Sequence, residues 1–325
     1  MPRTIDSESQ IGRRLRLRDL HVFFTVVQFK SMAKAASHLG ISQPAVSEVI
    51  ADLEHTLGAR LFDRSPRGVE PTIYGQALLR RSRAAFDELK QGVKDIEFLS
   101  NPTSGELRIA CGTTLAASIL PPIVDGFSKA HPGVVLHVQE VPPPTRELSG
   151  LRDRKYDLVL GRLVAPLELD PLGDDVNVET LFEDRLVIAA GAQNRWAGRR
   201  KIDLAELVDE PWTVADTNTW HHTRLLEAFH ARGLAMPKVR VVSSSVHVSI
   251  HLLASGRFIS GMSKLLADRY GLKVLSVDLP VGPSPVVLTT LRNRTLSPLV
   301  ERFIEYVRDA AKSFGVNKKP RIMTK

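Results

Sequence analysis

The sequence predicts a multidomain α/β chain that begins with a winged helix-turn-helix and a long helix and continues into a larger α/β region. Two short amphipathic helices separated by a glycine occupy residues 31–57. Helically spaced apolar residues then run from 73 to 99. From residue 107 onward, short apolar strands alternate with amphipathic helices, which is typical of a mostly parallel, covered sheet.

Length and composition limit the classes of protein that fit. At ~150 residues per domain, a chain of 325 residues corresponds to two or three domains. No run of ~20 apolar residues occurs, and the N-terminal segment has no apolar centre, so neither a membrane span nor a secretory signal is expected. Cys111 is the only cysteine, which excludes an intramolecular disulfide and favours a cytoplasmic location.

The net charge of +8 is concentrated at the two ends of the chain. Residues 1–100 carry 15 Lys and Arg against 12 Asp and Glu, residues 308–325 carry 6 against 1, and the segment between them is neutral. Arginines flank the helix-turn-helix on both sides, namely Arg13, Arg14, Arg16, Arg18, Arg60, Arg64 and Arg67. Cations in such positions are suited to neutralising DNA phosphates, and ordinary solvated surface charge is the alternative.

The capping residues of the segment 31–57 indicate a helix-turn-helix. Ser31 can accept from the free backbone N–H groups that open the first helix, and Gly40 suits the left-handed conformation beyond its end. Ser42 is the corresponding cap of the second helix, and Pro44 lies in its first turn, where a missing N–H is harmless.

The start of the second helix is expected to contact DNA bases. Gln43 is the strongest candidate, because its amide can pair bidentately with adenine in the major groove. The expected DNA-binding residues are Ser42, Gln43, Pro44 and Ser47 at the groove, with Arg18, Arg60, Arg64 and Arg67 on phosphates. Alternatively, Ser42 only caps the helix and Ser47 is only a small surface residue.

A β-hairpin wing and a long helix are expected to follow. The turn residues of ARLFDRSPRGVEPT predict a hairpin with Arg64 and Arg67 near its tip, where they can reach the DNA backbone or the minor groove. Thr72 should cap the long helix, whose apolar residues follow a near-heptad spacing. This stripe favours pairing with a second copy of the helix, and packing on the neighbouring domain is the alternative.

These motifs resemble the LysR-type family of bacterial transcriptional regulators. The N-terminal match comprises FFTVVQFKSMAKAASHLGISQPAVSEVIADLEHTLGARLFDR and then PTIYG. The later match comprises GELRIACGTT, LPPIVDGFSKAHPGVVLHVQE, LRDRKYDLVLGRL and EDRLVIAAGAQNRWAG. The segments LVLGRL and DDVNVETLFED resemble the subgroup that regulates sugar-uptake or aromatic-catabolism genes.

The resemblance implies a periplasmic-binding-protein-like effector domain made of two lobes. It divides the chain into a disordered basic arm (1–16), a winged helix-turn-helix (17–72), a dimerising linker helix with its hinge (73–104), an effector-binding domain (105–314) and a disordered tail (315–325). The first lobe would contain 105–162 and 267–314, and the second lobe would contain 163–266.

The cleft between the implied lobes is the expected effector site. Hydroxyl and N–H groups at strand ends and helix starts can hold a carboxylate or a hydroxyl group, although local capping is the alternative role for each residue. The candidates are Thr113, Thr114, Arg162, Thr217, Asn218, Trp220, Ser244 and Ser245.

Three further features of the sequence concern operator specificity, metal binding and catalysis. Glu48 stands where many members of the family have Arg or Lys, and a carboxylate there cannot bind phosphate or guanine. His247 and His251 have helical i, i+4 spacing but no accompanying carboxylate or Cys, so no metal is expected. The sequence contains no glycine-rich phosphate loop, nucleophile elbow or paired catalytic acids, so neither enzymatic activity nor a cofactor is expected.

The resemblance therefore implies a sequence-specific DNA-binding transcriptional regulator that is switched by a small organic acid or sugar derivative. Its implied partners are an inverted-repeat operator in double-stranded DNA, RNA polymerase, and further copies of itself in a dimer of dimers, all in the bacterial nucleoid. The alternative is a cytoplasmic small-molecule-binding or enzymatic α/β protein with an incidental helix-turn-helix.

Overall fold

A computed structural model describes residues 14–65, 68–141, 144–162, 173–217 and 219–314. The chain divides into two compact units, Met1–Lys90 and Gln91–Lys325. Most of the basic arm expected at 1–16, and the tail expected at 315–325, lie outside the described residues. Among the residues that are described, no helix combines the length and apolar character needed to cross a membrane.

The first unit contains the predicted helix-turn-helix and its wing. Its described elements are α1 (Leu17–Phe29), α2 (Met32–Leu39), α3 (Gln43–Leu57), β1 (Phe62–Ser65), β2 (Gly68–Pro71) and the first part of α4 (Ile73–Ser100). Ser31 caps α2 by accepting from the backbone N–H of Lys34, and Ser42 caps α3 by accepting from that of Ala45. Gly40 ends α2 in the left-handed conformation, with φ of 67°. These caps confirm the predicted motif.

An apolar core holds α3 against α1 and the hairpin. Phe23 of α1 and Val46 and Ile50 of α3 are fully buried. The ring of Phe62, on β1, lies 5.1 Å from the ring of Phe23, centroid to centroid. Because these large side chains interlock, α3 and the hairpin form one packed body.

Polar contacts hold both strands of the hairpin. The carboxylate of Glu54, near the end of α3, accepts from the backbone N–H of Leu61 at 2.6 Å and of Phe62 at 3.2 Å. On the other strand, the N–H of Val69 donates to the carbonyl oxygen of Lys30 at 3.0 Å. The hairpin is therefore tied to the ends of both α1 and α3.

The start of α4 is pressed against the same hairpin. Thr72 caps the helix as predicted, accepting from the N–H of Gly75 at 3.1 Å and donating to the carbonyl of Arg60 at 2.7 Å. A Cβ atom added to Gly75 would lie 2.2 Å from the carbonyl oxygen of Leu61. Only glycine fits at this crossing without moving the backbone.

The second unit contains two mixed five-stranded sheets. Its described elements are the end of α4, β3 (Ser104–Gly112), α5 (Thr113–Ser118), α6 (Leu120–Ala130), β4 (Gly133–Val141), α7 (Pro144–Arg152), β5 (Leu158–Arg162), β6 (Val176–Asp184), β7 (Leu186–Ala190), a 3-10 helix (Leu204–Leu207), β8 (Trp212–Val214), α8 (Trp220–Ala231), β9 (Val239–Val242), α9 (Val246–Ala254), β10 (Ile259–Ser263), α10 (Lys264–Arg269), β11 (Lys273–Val274), β12 (Ser284–Leu291) and α11 (Pro298–Phe314).

Each sheet is the centre of one lobe. In the first lobe the strand order is β4-β3-β5-β12-β6, with β3 parallel to β4 and β5 and with β12 antiparallel to β5 and β6. In the second lobe the order is β11-β7-β10-β8-β9, with β8 parallel to β10 and β9. Phe127 and Phe303 pack edge to face in the core of the first lobe, and Trp212 and Phe229 do so in the second.

The boundary between the two lobes differs from the one predicted from the sequence. Strand β6, expected in the second lobe, pairs with β12 along its whole length in the first. Strand β11, expected in the first lobe, pairs with β7 in the second. Among the described residues, the first lobe thus comprises 104–141, 144–162, 173–184 and 284–314, and the second comprises 186–217 and 219–281. Only Arg185 separates β6 from β7, so the local pattern contains no turn signal at the crossover.

The long helix α4 has both a covered and an open side. Phe98 is buried in the core of the first lobe, beneath the guanidinium of Arg302 at 5.0 Å. The side chains of Leu89, Val93, Ile96 and Leu99 are between 51% and 76% exposed in the single chain. The end of the helix therefore packs on the first lobe through Phe98, whereas several apolar residues remain open. Pairing of the stripe with a second copy of the helix stays a prediction.

The contact of α4 with Leu61 gives a test of the first unit. We expect Gly75→Ala to lower the free energy of unfolding by about 1–3 kcal/mol, because the new methyl group overlaps a backbone oxygen. Urea denaturation followed by circular dichroism would measure this. The control is Gly92→Ala on the same helix, which meets nothing within 4 Å and should be neutral or stabilising by about 0.5–1 kcal/mol. Equal effects of the two variants would contradict the close approach.

Candidate nucleic-acid interface and ligand cavity

The first turn of α3 presents most of the residues expected to contact DNA bases. Ser42, Gln43 and Pro44 are exposed, and Ser47 is half-buried one turn further along. Gln43 and Ser47 are four residues apart, so they lie on one face of the helix. The side chain of Ser42 caps α3, which is the local role that the sequence analysis left open beside base contact.

The arginines expected on phosphates are placed in part. Arg18 lies in the first turn of α1 and Arg60 in the turn before β1, and both are exposed. Arg64 is on β1 opposite Val69 in the hairpin register. The side chain of Arg64 and the whole of Arg67 lie outside the described part of the chain. The structure thus describes two of the four arginines with exposed side chains, Arg18 and Arg60.

The carboxylates of α3 have different environments. Glu48 and Asp52 are exposed, whereas Glu54 holds the hairpin. This role of Glu54 was not predicted from the sequence. A signal was available, because an anion in the last turn of a helix opposes the helix dipole and indicates a partner outside the helix.

A cavity of about 580 Å³ lies between the two lobes of the second unit. The first lobe contributes the end of β3, the helix α5 that follows it, and the carboxyl ends of β4 and β5. The second lobe contributes the starts of α8 and α9 and the strand β10. Carboxyl ends of parallel strands and starts of helices are the usual location of ligand sites in α/β folds.

The cavity brings together most of the expected effector residues. Those that line it are Thr113, Thr114, Arg162, Trp220, Ser244 and Ser245. Thr217 does not reach the cavity; it is exposed and donates to the carboxylate of Asp216. Asn218 lies outside the described residues.

The error at Thr217 follows from the position of α8. The helix begins at Trp220, and its cap is Thr219, whose side chain accepts from the N–H of His222. Thr219 therefore takes the place at the cavity that was assigned to Thr217. Seven polar lining residues were not among the candidates: Glu140, Thr219, His221, Ser243, His247, Ser249 and Ser260. A capping residue directly before a helical pattern was the signal for Thr219.

A buried ion cluster lies beside the cavity. Nη2 of Arg162 donates to Oδ2 of Asp184 at 2.5 Å and to Oγ of Ser263 at 3.2 Å. Ser263 also donates to the same carboxylate oxygen, and Oδ1 of Asp184 accepts from the backbone N–H of Arg185. Arg162 and Asp184 end β5 and β6 of the first lobe, and Ser263 ends β10 of the second. The cluster therefore joins the two lobes.

The remaining nitrogens of Arg162 lack partners among the described residues. Its Nε and Nη1 atoms are buried without a hydrogen bond there, and so is Nε1 of Trp220. The Trp220 ring lies over the guanidinium, with its centroid 4.5 Å from Cζ. Burial lowers the pKa of Arg162, and the negative charge of Asp184 opposes this shift.

His221, on α8, lines the cavity with an uncharged imidazole. Its Nε2 lies 3.5 Å from Oγ1 of Thr114, across the cleft. Burial, with a smaller contribution from the positive charge of Arg162, lowers the pKa of His221 from 6.5 to about 3. At neutral pH the imidazole is therefore uncharged, and it can exchange one hydrogen bond with a hydroxyl group.

Two known families match the chain. Residues 17–76 match the family described as bacterial regulatory helix-turn-helix protein, lysR family. Residues 100–312 match the family described as the LysR substrate binding domain. Together these matches span both units of the structure.

Similar proteins and structures agree with these matches. The transcriptional regulator GbpR of Azospirillum brasilense is 26% identical over 291 residues, which are 88% of this chain and 83% of GbpR. The transcriptional regulator TdcA of Escherichia coli K12 is 28% identical over 245 residues, covering 75% of this chain and 76% of TdcA. A full-length point variant of OxyR from Pseudomonas aeruginosa has a similar fold, with a TM-score of 0.62 and 22% identity over 92% of this chain and 95% of that one.

The environment of His221 predicts a pH dependence of stability. The unfolded chain binds a proton at this residue below pH 6.5, but the folded chain does so only near pH 3, so acid favours unfolding in this window. We expect the free energy of unfolding of the wild type to fall by about 1–2 kcal/mol more than that of His221→Gln between pH 7 and pH 5. Denaturant titrations at each pH would measure this. His222→Gln, which keeps the cavity imidazole, is the control; identical pH slopes for wild type and His221→Gln would contradict the assignment.

Proposed function

The chain belongs to the LysR family of DNA-binding transcriptional regulators, and from that premise we propose that a small molecule held between its two lobes controls how its helix-turn-helix binds an operator. The observation that carries the proposal is the cavity at the lobe interface, because it lies within the region that matches the family's substrate-binding domain. Its lining belongs to both lobes, so an occupant changes the free energy of their arrangement.

We propose that α3 contacts the bases and that the arginines supply most of the affinity. Gln43 and Ser47 face outward together at the start of the helix, while Glu48 and Asp52 add negative charge beside them. Contacts of Arg18, Arg60, Arg64 and Arg67 with phosphates would offset this charge. Base contacts would then determine which operator is chosen, and phosphate contacts would determine how tightly it is held.

The dimer is proposed to form through α4. Leu89, Val93 and Ile96 follow a four-three spacing and are exposed in the single chain, which is typical of a helix that pairs with its own copy. Pairing places two reading helices on one DNA molecule, so the operator would be an inverted repeat. Contacts between second units would extend the pair to a dimer of dimers.

The end of α4 supports a route from the cavity to the DNA. Phe98 is packed in the core of the first lobe, so movement of that lobe is transmitted to the helix rather than absorbed by a loose connection. Closing or twisting the lobes around a ligand would change the separation of the DNA-binding units, and with it the DNA bend and the contact with RNA polymerase. In this scheme the protein binds its ligand and does not convert it. We place the protein in the bacterial cytoplasm, on the nucleoid, at genes for aromatic catabolism or sugar uptake.

A matched pair of variants tests the DNA-binding part. We expect Gln43→Ala to reduce the discrimination among operator variants by about 1–3 kcal/mol at the base it contacts. Arg18→Ala should instead weaken binding to all sequences alike and lower the slope of log K against log salt by about one. Fluorescence anisotropy with fragments from the region upstream of the gene would measure both.

The same titrations can contradict the assignment. Uniform weakening of all operator variants by Gln43→Ala would remove Gln43 as a base reader. Failure of the wild type to bind any upstream fragment at low salt would contradict the proposed operator, and would favour the alternative of a small-molecule-binding protein with an incidental helix-turn-helix.

A further inference from the structure

The donor groups of Arg162 indicate the charge of the ligand. Arg162 lines the cavity and is only 7% exposed, and its Nη2 atom is occupied by Asp184 and Ser263. The three N–H hydrogens on Nε and Nη1 have no acceptor among the described residues. Buried donors of a charged group are costly when unpaired, so this arrangement favours an acceptor that arrives with the ligand.

Two helix starts in the second lobe provide an independent positive field. The twelve-residue helix α8 and the nine-residue helix α9 both begin at the cavity, with Thr219 and Ser245 as their caps. Neither helix has Asp or Glu in its first turn. The unpaired N–H groups of a helix start attract anions, and here they face the cavity from the lobe opposite Arg162.

The remaining charges of the lining limit the ligand to one anionic group. Arg162 is the only Lys or Arg among the described residues that line the cavity, and Glu140 is the only carboxylate among them. His221 is uncharged at neutral pH. A second anionic group on the ligand would therefore meet no second lysine or arginine and would be repelled by Glu140, whereas a cationic group would be repelled by Arg162 and the helix starts.

We propose that the cavity binds a small organic monocarboxylate whose carboxylate accepts hydrogen bonds from Nε and Nη1 of Arg162. The uncharged body of the ligand then lies against the hydroxyl groups of Thr113, Thr114 and Ser244, which line the cavity. This inference rests on the proposed function, since it takes the cavity as the ligand site. It adds the chemical class of the ligand and the residue that selects it.

Trp220 makes the binding event observable. Its ring covers one face of the guanidinium, and the Nε and Nη1 atoms of Arg162 are buried in the arrangement described here. A carboxylate that reaches these nitrogens shifts Trp220 relative to Arg162. We therefore expect the tryptophan fluorescence of the protein to change together with its thermal stability.

The test uses the full-length protein and acids paired with their own amides. Acetate, benzoate and gluconate are compared with acetamide, benzamide and gluconamide, and with the dicarboxylates succinate and phthalate, at constant ionic strength. Melting temperature and tryptophan fluorescence are followed against concentration. We expect at least one monocarboxylate to give a saturable response in both signals, and its amide and the dicarboxylates to bind roughly tenfold more weakly or worse.

Two variants test whether the ligand response arises at the cavity. Because there are two, misfolding of one variant does not end the test. Arg162→Lys keeps a positive charge beside Asp184 but has a different donor geometry, so it should weaken the acid response roughly tenfold and leave any amide response unchanged. Thr113→Val should weaken acids and amides alike, because it touches only the body of the ligand.

Every result of the ligand panel either supports or overturns the monocarboxylate assignment. Equal binding of an acid and its amide, or unchanged acid binding by Arg162→Lys, overturns the monocarboxylate assignment, and sensitivity to Thr113→Val would then keep the cavity as the ligand site. A panel in which no compound changes either signal overturns both the assignment and the cavity's proposed role. DNA binding is measured in a separate experiment, and its result does not depend on either of these outcomes.

Discussion

The ion cluster of Arg162, Asp184 and Ser263 is the interaction on which the second unit depends. Asp184 is the last residue of β6, immediately before the chain crosses into the second lobe, and Ser263 ends β10 and caps α10. A buried ion pair is tolerated only when further hydrogen bonds satisfy its oxygens, and Ser263 supplies one of them from the opposite lobe. The hydrogen bonding of this ion pair is therefore complete only when both lobes are in place.

The same cluster connects the architecture of the lobes with their chemistry. Asp184 occupies one nitrogen of Arg162 and leaves the buried donors of Nε and Nη1 without partners among the described residues, under the ring of Trp220. The guanidinium is thus held rigidly by the first lobe while the second lobe covers it. A ligand that engages Arg162 acts at the point where the two lobes meet, which is where a small change in contacts most directly alters their arrangement.

Local signals in the sequence were sufficient for the first unit, and long-range pairing limited the second. The caps Ser31, Ser42 and Thr72 could be predicted because each acts on the helix that follows it directly. The position of β6 in the first lobe could not be predicted. Its partner β12 lies far along the chain, and no turn residue marks the crossover to the second lobe. At the cavity, strand ends and helix starts pointed to Thr113 and Arg162, which line it, but they pointed to Thr217 where Thr219, the cap of α8, lines the cavity instead.

The dependence of the second unit on the Arg162–Asp184 ion pair is tested most directly by a double-mutant cycle. The free energies of unfolding of Arg162→Met, Asp184→Leu and the double variant would be compared with that of the wild type. Each single change leaves one buried charge unpaired and should cost about 3–5 kcal/mol, whereas the double variant should lose at least about 2 kcal/mol less than the sum of the two. Additive losses, within about 0.5 kcal/mol, would show that the two residues act independently and would contradict the account.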